Sequence, residues 1–320
     1  IRVPAERRYC RQCGATCTVC LPGIPMRGKA TNSFRTFLFE ECRGRSIADV
    51  SRRFEIPYTT LERWFYEEAP HHVPVQTAKY VSIDDFAMRK GHTYGVAAAD
   101  LETGQVLDVA EGRSRKAVEN LLKKTAPDAE VAVSDAAPAM EKAIQAACPD
   151  AVHVLDRFHV VQFFTDALNR RRKYHLSAEK KHGNVRRVLR LLCQKPAELT
   201  EEERREVRSW LEADEPLEAL YQALQHIRYV FKGTEEQRAK HRMEAWFARW
   251  SFHSVSAVRS IAKTLVKRKA SLQAAVVHSA SNGMIEGINT KIKLIKRRAY
   301  GYRNNEHFKI RISLETGRAN

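Results

Sequence analysis

The order of predicted strands and helices between residues 79 and 155 constrains the fold of this chain most strongly. From Lys79 the apolar residues change from helical spacing to the alternating spacing of β-strands. Turn-forming residues separate the periodic runs of this segment. Together they predict, in order, strand 80–86, strand 93–100, strand 105–110, helix 116–124, strand 130–134, helix 138–147 and strand 151–155. Three antiparallel strands followed by strands that alternate with helices predict a mixed α/β sheet.

Helical patterns lie on both sides of this predicted sheet. On the N-terminal side we expect three short helices within residues 31–69, with Ser46 as the N-cap of the second and Pro57 in the tight break before the third. This order predicts a helix-turn-helix domain. On the C-terminal side, charged amphipathic helices run to about Lys269, and a last helix opens near Asn282 and ends before Gly301. The strand order between these helices is that of a ribonuclease-H-like fold.

The charge of the chain indicates a polyanionic partner. Among 320 residues, 55 Lys and Arg stand against 38 Asp and Glu, so the formal net charge is +17. Nucleic acid is the first candidate, because no apolar run approaches the roughly 18 residues that span a membrane and no signal-peptide core opens the chain. We expect a soluble, intracellular protein. The sequence begins with Ile1 rather than Met, and we expect an upstream segment to be absent from it.

Three acidic residues occupy positions that suit metal-assisted phosphodiester chemistry. Asp84 interrupts an apolar strand, Asp135 follows the fourth strand, and Glu286 lies early in the last helix between Ile285 and Ile288. Carboxylates are the ligands that hard divalent cations accept, and a pair of such ions can cleave and transfer phosphodiesters. For each acid alone the structural alternative is a turn former, a helix cap or a surface ion-pair partner.

Several blocks of the sequence resemble the ISL3 family of bacterial insertion-sequence transposases. The blocks span most of the chain: Ile83-Asp84-Asp85-Phe86-Ala87, Arg89 to Tyr94, Asp100 to Gly104, Asp156-Arg157-Phe158-His159-Val160, Asn282-Gly283, Glu286-Gly287-Ile288-Asn289, Lys291-Ile292-Lys293 and Arg297 to Asn304. The resemblance implies a DDE catalytic core, interrupted by a helical insertion, with Asp84, Asp135 and Glu286 as the catalytic and Mg²⁺-binding acids. The family's first acidic motif is Asp-Glu, whereas this chain has Asp84-Asp85.

The organisation that we predict has six segments. They are a cysteine-rich zinc-knuckle-like segment (1–30), the helix-turn-helix domain (31–69), a linker (70–78), the first part of the ribonuclease-H-like core (79–164), an all-α insertion (165–280) and the last part of the core with the Glu286 helix (281–320). The implied protein is cytoplasmic, bacterial and nucleoid-associated.

Asp156 and His159 form a further block after the second predicted acid. One interpretation assigns them a supporting role behind the catalytic acids or a contact with DNA. In the other, Asp156 caps the helix that starts at Arg157, and His159 is a histidine at the edge of the core, hydrogen-bonded to it.

Two basic or polar clusters are predicted to contact DNA. In the third N-terminal helix the candidates are Tyr58, Thr59, Thr60 and Arg63; in the last helix they are Lys291, Lys293, Lys296, Arg297 and Arg298. The spacing of Trp246 and Trp250 suits core packing, and stacking on an unpaired base is the alternative.

Two closely spaced cysteine pairs open the chain. Cys10 with Cys13 and Cys17 with Cys20 have zinc-knuckle spacing, but only three residues separate the pairs. Three arrangements stay open: pairing of Cys10 and Cys13 with an upstream knuckle, as the N-terminal ribbon of the family implies, one four-thiolate site, or no zinc.

The predicted function is a DNA transposase with two Mg²⁺ ions per active site, for which Mn²⁺ can substitute. Its partners would be the double-stranded inverted repeats at transposon ends, target DNA and further copies of itself in a homodimer or larger synaptic assembly. The alternatives are a sequence-specific regulator with an inactive nuclease-like core and a structure-specific nuclease.

Overall fold

The computed structural model describes residues 6–19, 22–23, 30–89, 93–175, 185–232, 235–278 and 283–316. The chain divides into two compact units. The helical unit comprises Ile1–Val75 and Asn289–Gly317, and the sheet unit comprises Gln76–Ile288 and Arg318–Asn320. The segment 281–320, predicted as one part of the core, is therefore divided between the units.

The sheet unit contains the mixed α/β sheet that the sequence predicts. Its five strands are β3 (Tyr80–Arg89), β4 (Thr93–Asp100), β5 (Val106–Glu111), β6 (Val131–Ser134) and β7 (Val152–Leu155). They lie in the order β5-β4-β3-β6-β7. The first three pair antiparallel, whereas β6 pairs parallel with both β3 and β7. The strand at the centre, β3, thus joins the antiparallel and the parallel halves.

Two helices cover one face of the sheet. They are α4 (Arg115–Thr125), whose N-cap Ser114 accepts a hydrogen bond from the Ala117 amide, and α5 (Pro138–Ala147). Val81 and Ile83 of β3 pack here against Leu122 and Ile144. Since strand side chains alternate between faces, Ser82 and Asp84 point to the opposite side.

The other face carries the remaining helices of this unit. They are α6 (Arg157–His175), α7 (Val185–Cys193), α8 (Glu201–Glu212), α9 (Glu215–Val230), α10 (Glu236–Trp250), α11 (Ser256–Val266) and α12 (Lys269–Val277). One apolar cluster joins Val133 and Val154 of the sheet to Phe164, Leu220 and Trp246 of the helices. The predicted insertion therefore shares a core with the sheet, and its predicted start at residue 165 falls inside the continuous helix α6.

Trp246 and Trp250 belong to this core. Their exposed fractions are 0% and 1%. The Trp246 indole donates to the Ala223 carbonyl at 3.2 Å, and its ring lies edge-on to Phe164. The packing interpretation is confirmed, because neither ring offers a face to an unpaired base.

The helical unit is built from a small hairpin and five helices among its described residues. The elements are β1 (Arg7–Tyr9), β2 (Thr16–Thr18), α1 (Asn32–Cys42), α2 (Ile47–Arg53), α3 (Tyr58–Glu68), α13 (Gly283–Arg298, which begins in the sheet unit) and α14 (Asn305–Glu315). The Ser46 side chain accepts from the Asp49 amide, which confirms it as the N-cap of α2. Glu55 has φ 52°, a left-handed conformation that makes the break before α3 tight.

Helix α14 was not predicted, and it accounts for the grouping of the C-terminal residues with the N-terminal helices. Its Leu314 lies in one apolar cluster with Leu38, Leu61 and Phe65. Arg311, only 2% exposed, donates to the Cys42 carbonyl at 2.7 Å and pairs with Glu315 at 2.6 Å. Its guanidinium also lies 4.0 Å from the centre of the Phe65 ring. This helix is therefore an integral part of the helical unit.

Across the described ranges, no helix is both long enough and apolar enough to cross a membrane.

Candidate active site

The register of two parallel strands brings Asp84 and Asp135 together. β3 and β6 pair in register from Tyr80 with Val131 to Ile83 with Ser134. Asp84 and Asp135 are the next residue on each strand, so they occupy matched positions at the same end of the pair. Burial is the main cause that raises the pKa of the Asp135 carboxyl, and the nearby negative charge of Asp84 adds to it. Two acids that are distant in sequence thus lie at the same end of adjacent strands.

Asp84 and its neighbour Asp85 face opposite sides of the sheet. The Asp84 side chain is 15% exposed and lies 3.8 Å from His159 of α6. The Asp85 side chain is 31% exposed and forms an ion pair at 3.3 Å with Arg113, which precedes α4. Only Asp84 therefore lies on the α6 face of the sheet with His159.

Asp135 is held where β6 turns into α5. Its carboxylate accepts a hydrogen bond from the Ala137 amide at 2.9 Å. Burial raises the pKa of Asp135 above its ordinary value, while the Ala137 amide and His159 act in the opposite direction. The preceding residue, Ser134, lies 2.9 Å from the His153 ring, and burial lowers the pKa of His153. Asp135 is therefore a half-buried carboxylate with negatively charged neighbours.

The structure shows the capping role of Asp156 and places His159 between Asp156 and Asp84. Asp156 accepts from the Phe158 amide at 2.6 Å and so caps α6. His159 lies 3.7 Å from Asp156 as well as 3.8 Å from Asp84. These contacts are longer than hydrogen bonds, so we regard them as ion pairs. The interaction with Asp84, followed by attraction to Asp156, raises the pKa of His159 to about 9, which makes it a cation at neutral pH.

Arg157 is a site residue that sequence reasoning missed. Its guanidinium donates to the carbonyls of Ala275 at 2.6 Å, His278 at 3.2 Å and Val276 at 3.4 Å. It therefore fixes the C-terminal end of α12 beside the first turn of α6. The chain continues from α12 to α13, which carries Glu286. The Glu286 side chain itself lies outside the described part of the structure.

The described carboxylates suit a hard divalent cation in chemistry and charge. Asp84 and Asp135 supply oxygen donors, and a nearby cation would offset both the burial of Asp135 and the charge of Asp84, which raise the pKa of Asp135. Where side chains are described, His, Cys, Asp and Glu form no group of three or more arranged to hold a metal ion.

The residues predicted to contact DNA lie in the helical unit. Tyr58, Thr59 and Arg63 are exposed at the start and along the outer side of α3, and Thr60 is half-buried. Lys291, Lys293 and Arg297 are exposed on α13, and Lys296 is half-buried. Arg298 differs from these, because it donates to the Gly44 carbonyl at 2.8 Å and pairs with the buried Glu315.

The cysteine segment forms a hairpin with its first pair in the turn. β1 and β2 pair antiparallel, and Cys10, Cys13 and Cys17 are exposed. Hydrogen bonding from Cys13, first from its backbone, lowers the pKa of the Cys10 thiol. Cys20 lies outside the described residues.

Comparison with known proteins identifies the family of this chain. A model of the ISL3 family, described as transposase, matches residues 81–312. The transposase for insertion sequence element IS1001 of Bordetella parapertussis is 26% identical over 98% of this chain and 80% of its own length. The transposase for insertion sequence element IS1557 of Mycobacterium tuberculosis is 28% identical over 70% of this chain and 57% of its own length. The chain belongs to the ISL3 family of insertion-sequence transposases.

Proposed function

We propose that this protein is a DDE transposase that binds the ends of its insertion sequence, cleaves them with divalent metal ions and joins the freed 3′-hydroxyl ends to target DNA. One observation carries the proposal: Asp84 and Asp135 occupy matched positions at the end of adjacent parallel strands. The strand order and the helices on both faces support a ribonuclease-H-like core.

Each acidic residue has a distinct part in this reaction. Asp84 and Asp135, together with Glu286 of α13, would hold two Mg²⁺ ions, for which Mn²⁺ can substitute. When bound, such ions stabilise charge on the phosphoryl oxygens and activate the attacking water or hydroxyl. Asp156 orients the first turn of α6, and His159 balances part of the negative charge of Asp84 and Asp156. Asp135 is half-buried, which reduces the access of bulk water to that carboxylate.

The helical unit would recognise DNA. α2, the break at Glu55 and α3 follow one another as in a helix-turn-helix motif, and the start of α3 would then meet base edges. Tyr58, Thr59, Thr60 and Arg63 would read or orient the DNA. Lys291, Lys293, Lys296 and Arg297 would neutralise phosphates, whereas the contacts of Arg298 assign it mainly to structure.

Three further parts of the proposal concern assembly and location. Two transposon ends must be joined, so a homodimer or larger synaptic assembly is expected. The lowered pKa of Cys10 suits a zinc-binding thiolate, with Cys13 as its nearest partner and Cys17 and Cys20 as further candidates. The strongly basic chain would associate with the bacterial nucleoid in the cytoplasm.

A matched pair of variants tests the catalytic assignment. Labelled DNA that carries the ends of the insertion sequence is incubated with protein and Mg²⁺ or Mn²⁺, and cut and joined products are separated on a gel. Asp84→Asn should lower cleavage about a thousandfold, since a lost metal ligand costs several kcal/mol of transition-state stabilisation. Asp85→Asn, on the other face of the sheet, should cleave nearly as well as the wild type.

The outcomes distinguish the alternatives. DNA that is shifted but uncut by the wild type would indicate a regulator with an inactive core, and cleavage without joined product would indicate a nuclease. Equal loss of activity in both Asn variants would contradict the assignment of Asp84 over Asp85.

A further inference from the structure

We propose that Tyr300 contacts DNA by stacking on an unpaired base. This proposal rests on the proposed function and adds a specific contact to it. The first observation is the exposure of this side chain. Tyr300 is 98% exposed, whereas Tyr302 two residues later stacks on Phe308 with a centroid separation of 4.7 Å. One of two neighbouring tyrosines thus packs inside the helical unit, and the other presents both ring faces to solvent.

The second observation is the backbone conformation of Tyr300. Helix α13 ends in a Schellman motif, in which the Gly301 amide donates to the Lys296 carbonyl and the Tyr300 amide to the Arg297 carbonyl, both at 3.0 Å. Tyr300 therefore occupies the left-handed position of the motif, with φ 53°. Glycine or asparagine usually occupies this position, because a side chain with a Cβ is strained there. A bulky aromatic residue at a strained and exposed position gives the fold no packing benefit.

The third observation is the surface that leads to Tyr300. Ile292 and Ile295 are buried, so the opposite side of α13 faces outward. That outward face carries Lys293, Leu294 and Arg297, and Leu294 is 56% exposed. Neither Lys293 nor Arg297 forms an ion pair with a described residue. An aromatic ring that follows cations along a helix combines phosphate attraction with a stacking surface.

This combination favours an unpaired base over a paired one. An exposed aromatic ring can stack on any base whose face is accessible, whereas in a duplex each base face is covered by its neighbours. Strand cutting and joining at DNA ends expose such bases. Trp246 and Trp250 are buried in the sheet unit, so Tyr300 is the stronger stacking candidate.

Two short DNA probes of the same sequence test the proposal by fluorescence anisotropy. One is a blunt duplex, and the other carries a single-stranded extension with 2-aminopurine, whose emission falls when it stacks. Wild-type protein should prefer the extended probe and quench its emission. Tyr300→Gly should weaken binding to the extended probe about tenfold, remove the quenching and leave the affinity for the blunt duplex unchanged.

Matched variants separate a lost contact from a damaged fold. Tyr300→Gly relieves the left-handed strain, so its melting temperature should rise by about 4 °C while the contact is lost. Tyr300→Phe keeps the ring and should bind as the wild type does. If Tyr300→Gly bound and quenched the extended probe as the wild type does, the stacking role would be wrong while the proposed function stood. If the wild type bound neither probe, the stacking role and the proposed function would both be overturned.

Discussion

Replacing Arg157 with methionine removes three hydrogen bonds from the C-terminal end of α12 while keeping most of the side-chain volume. The bonds to Ala275 at 2.6 Å and His278 at 3.2 Å are the effective ones, and the bond to Val276 at 3.4 Å is long. A hydrogen bond from a charged donor contributes about 1.5–3 kcal/mol. Arg157 is half-buried, so water compensates in part, and we take the lower value for each of two bonds. The expected loss of unfolding free energy is about 3 kcal/mol.

That loss should be visible in thermal unfolding. For a domain of this size, 1 kcal/mol changes the melting temperature by about 2–4 °C, so Arg157→Met should melt about 6–12 °C below the wild type. Near-ultraviolet circular dichroism is a suitable signal, because Trp246 and Trp250 are buried in the sheet unit. The lysine variant retains a charged donor that can reach one carbonyl, and it should recover about half of the loss.

The same substitution should reduce DNA cleavage even where the variant is folded. α12 leads to the helix that carries Glu286, and a displacement of about 1 Å in a reacting group can cost about 100-fold in rate. We therefore expect cleavage to fall about 100-fold well below the melting temperature, with little change in DNA binding.

Arg228 provides a matched control for this effect. It donates to the carbonyls of Cys193 at 2.6 Å and Gln194 at 3.2 Å, at the C-terminal end of α7. Arg228→Met should lose similar stability but keep its cleavage rate when folded. The reasoning would be refuted if Arg157→Met melted within about 2 °C of the wild type, or if both variants lost cleavage equally.

Three further substitutions test packing and charge. Trp246→Ala should lower the unfolding free energy by about 3–5 kcal/mol without altering the DNA affinity of the folded protein, as measured by urea denaturation and anisotropy. Burial lowers the pKa of His153, so this residue binds a proton more readily in the unfolded chain than in the folded protein. His153 should therefore lower the unfolding free energy as the pH falls below about 6.5. His153→Gln should therefore lose less stability than the wild type between pH 7.5 and 5.5 in urea denaturation, and an equal loss would contradict this. Arg311→Met leaves the buried Glu315 side chain with one partner fewer and should lower the unfolding free energy by about 3–5 kcal/mol. Adding Glu315→Leu to that variant should restore part of the lost unfolding free energy.

The sequence was sufficient to predict features that depend on neighbouring residues. Strand alternation separates Asp84 from Asp85, and the structure places them on opposite faces with different partners. The Ser46 cap follows from a local hydrogen bond between a side chain and a nearby amide. Such features are predictable because the residues that determine them lie within a few positions of one another.

Features that depend on distant backbone atoms were not predictable in the same way. Arg157 donates to backbone carbonyl oxygens more than a hundred positions away in the sequence. Because every residue has such an oxygen, residue types do not show which ones accept these hydrogen bonds. Helix α14 was missed because its polar residues obscure the buried Phe308, Ile312 and Leu314. The predicted start of the insertion at residue 165 falls inside α6, whose apolar residues share one cluster with the sheet and the later helices, so no break in the apolar pattern marks a boundary there.

The charge balance of the site shows how His159 would be compatible with the divalent cation of the proposed function. Asp84, Asp135 and Asp156 bring three carboxylates to the face of the sheet that α6 covers, and His159 supplies one imidazolium. The His159 imidazolium lies near Asp84 and Asp156, yet burial still raises the pKa of both Asp135 and Asp156. The single positive charge of His159 therefore does not neutralise the three carboxylates, and the cluster keeps a net negative charge. On the proposed function, His159 would offset part of the repulsion between the carboxylates when no metal is bound, and their remaining negative charge would attract a divalent cation.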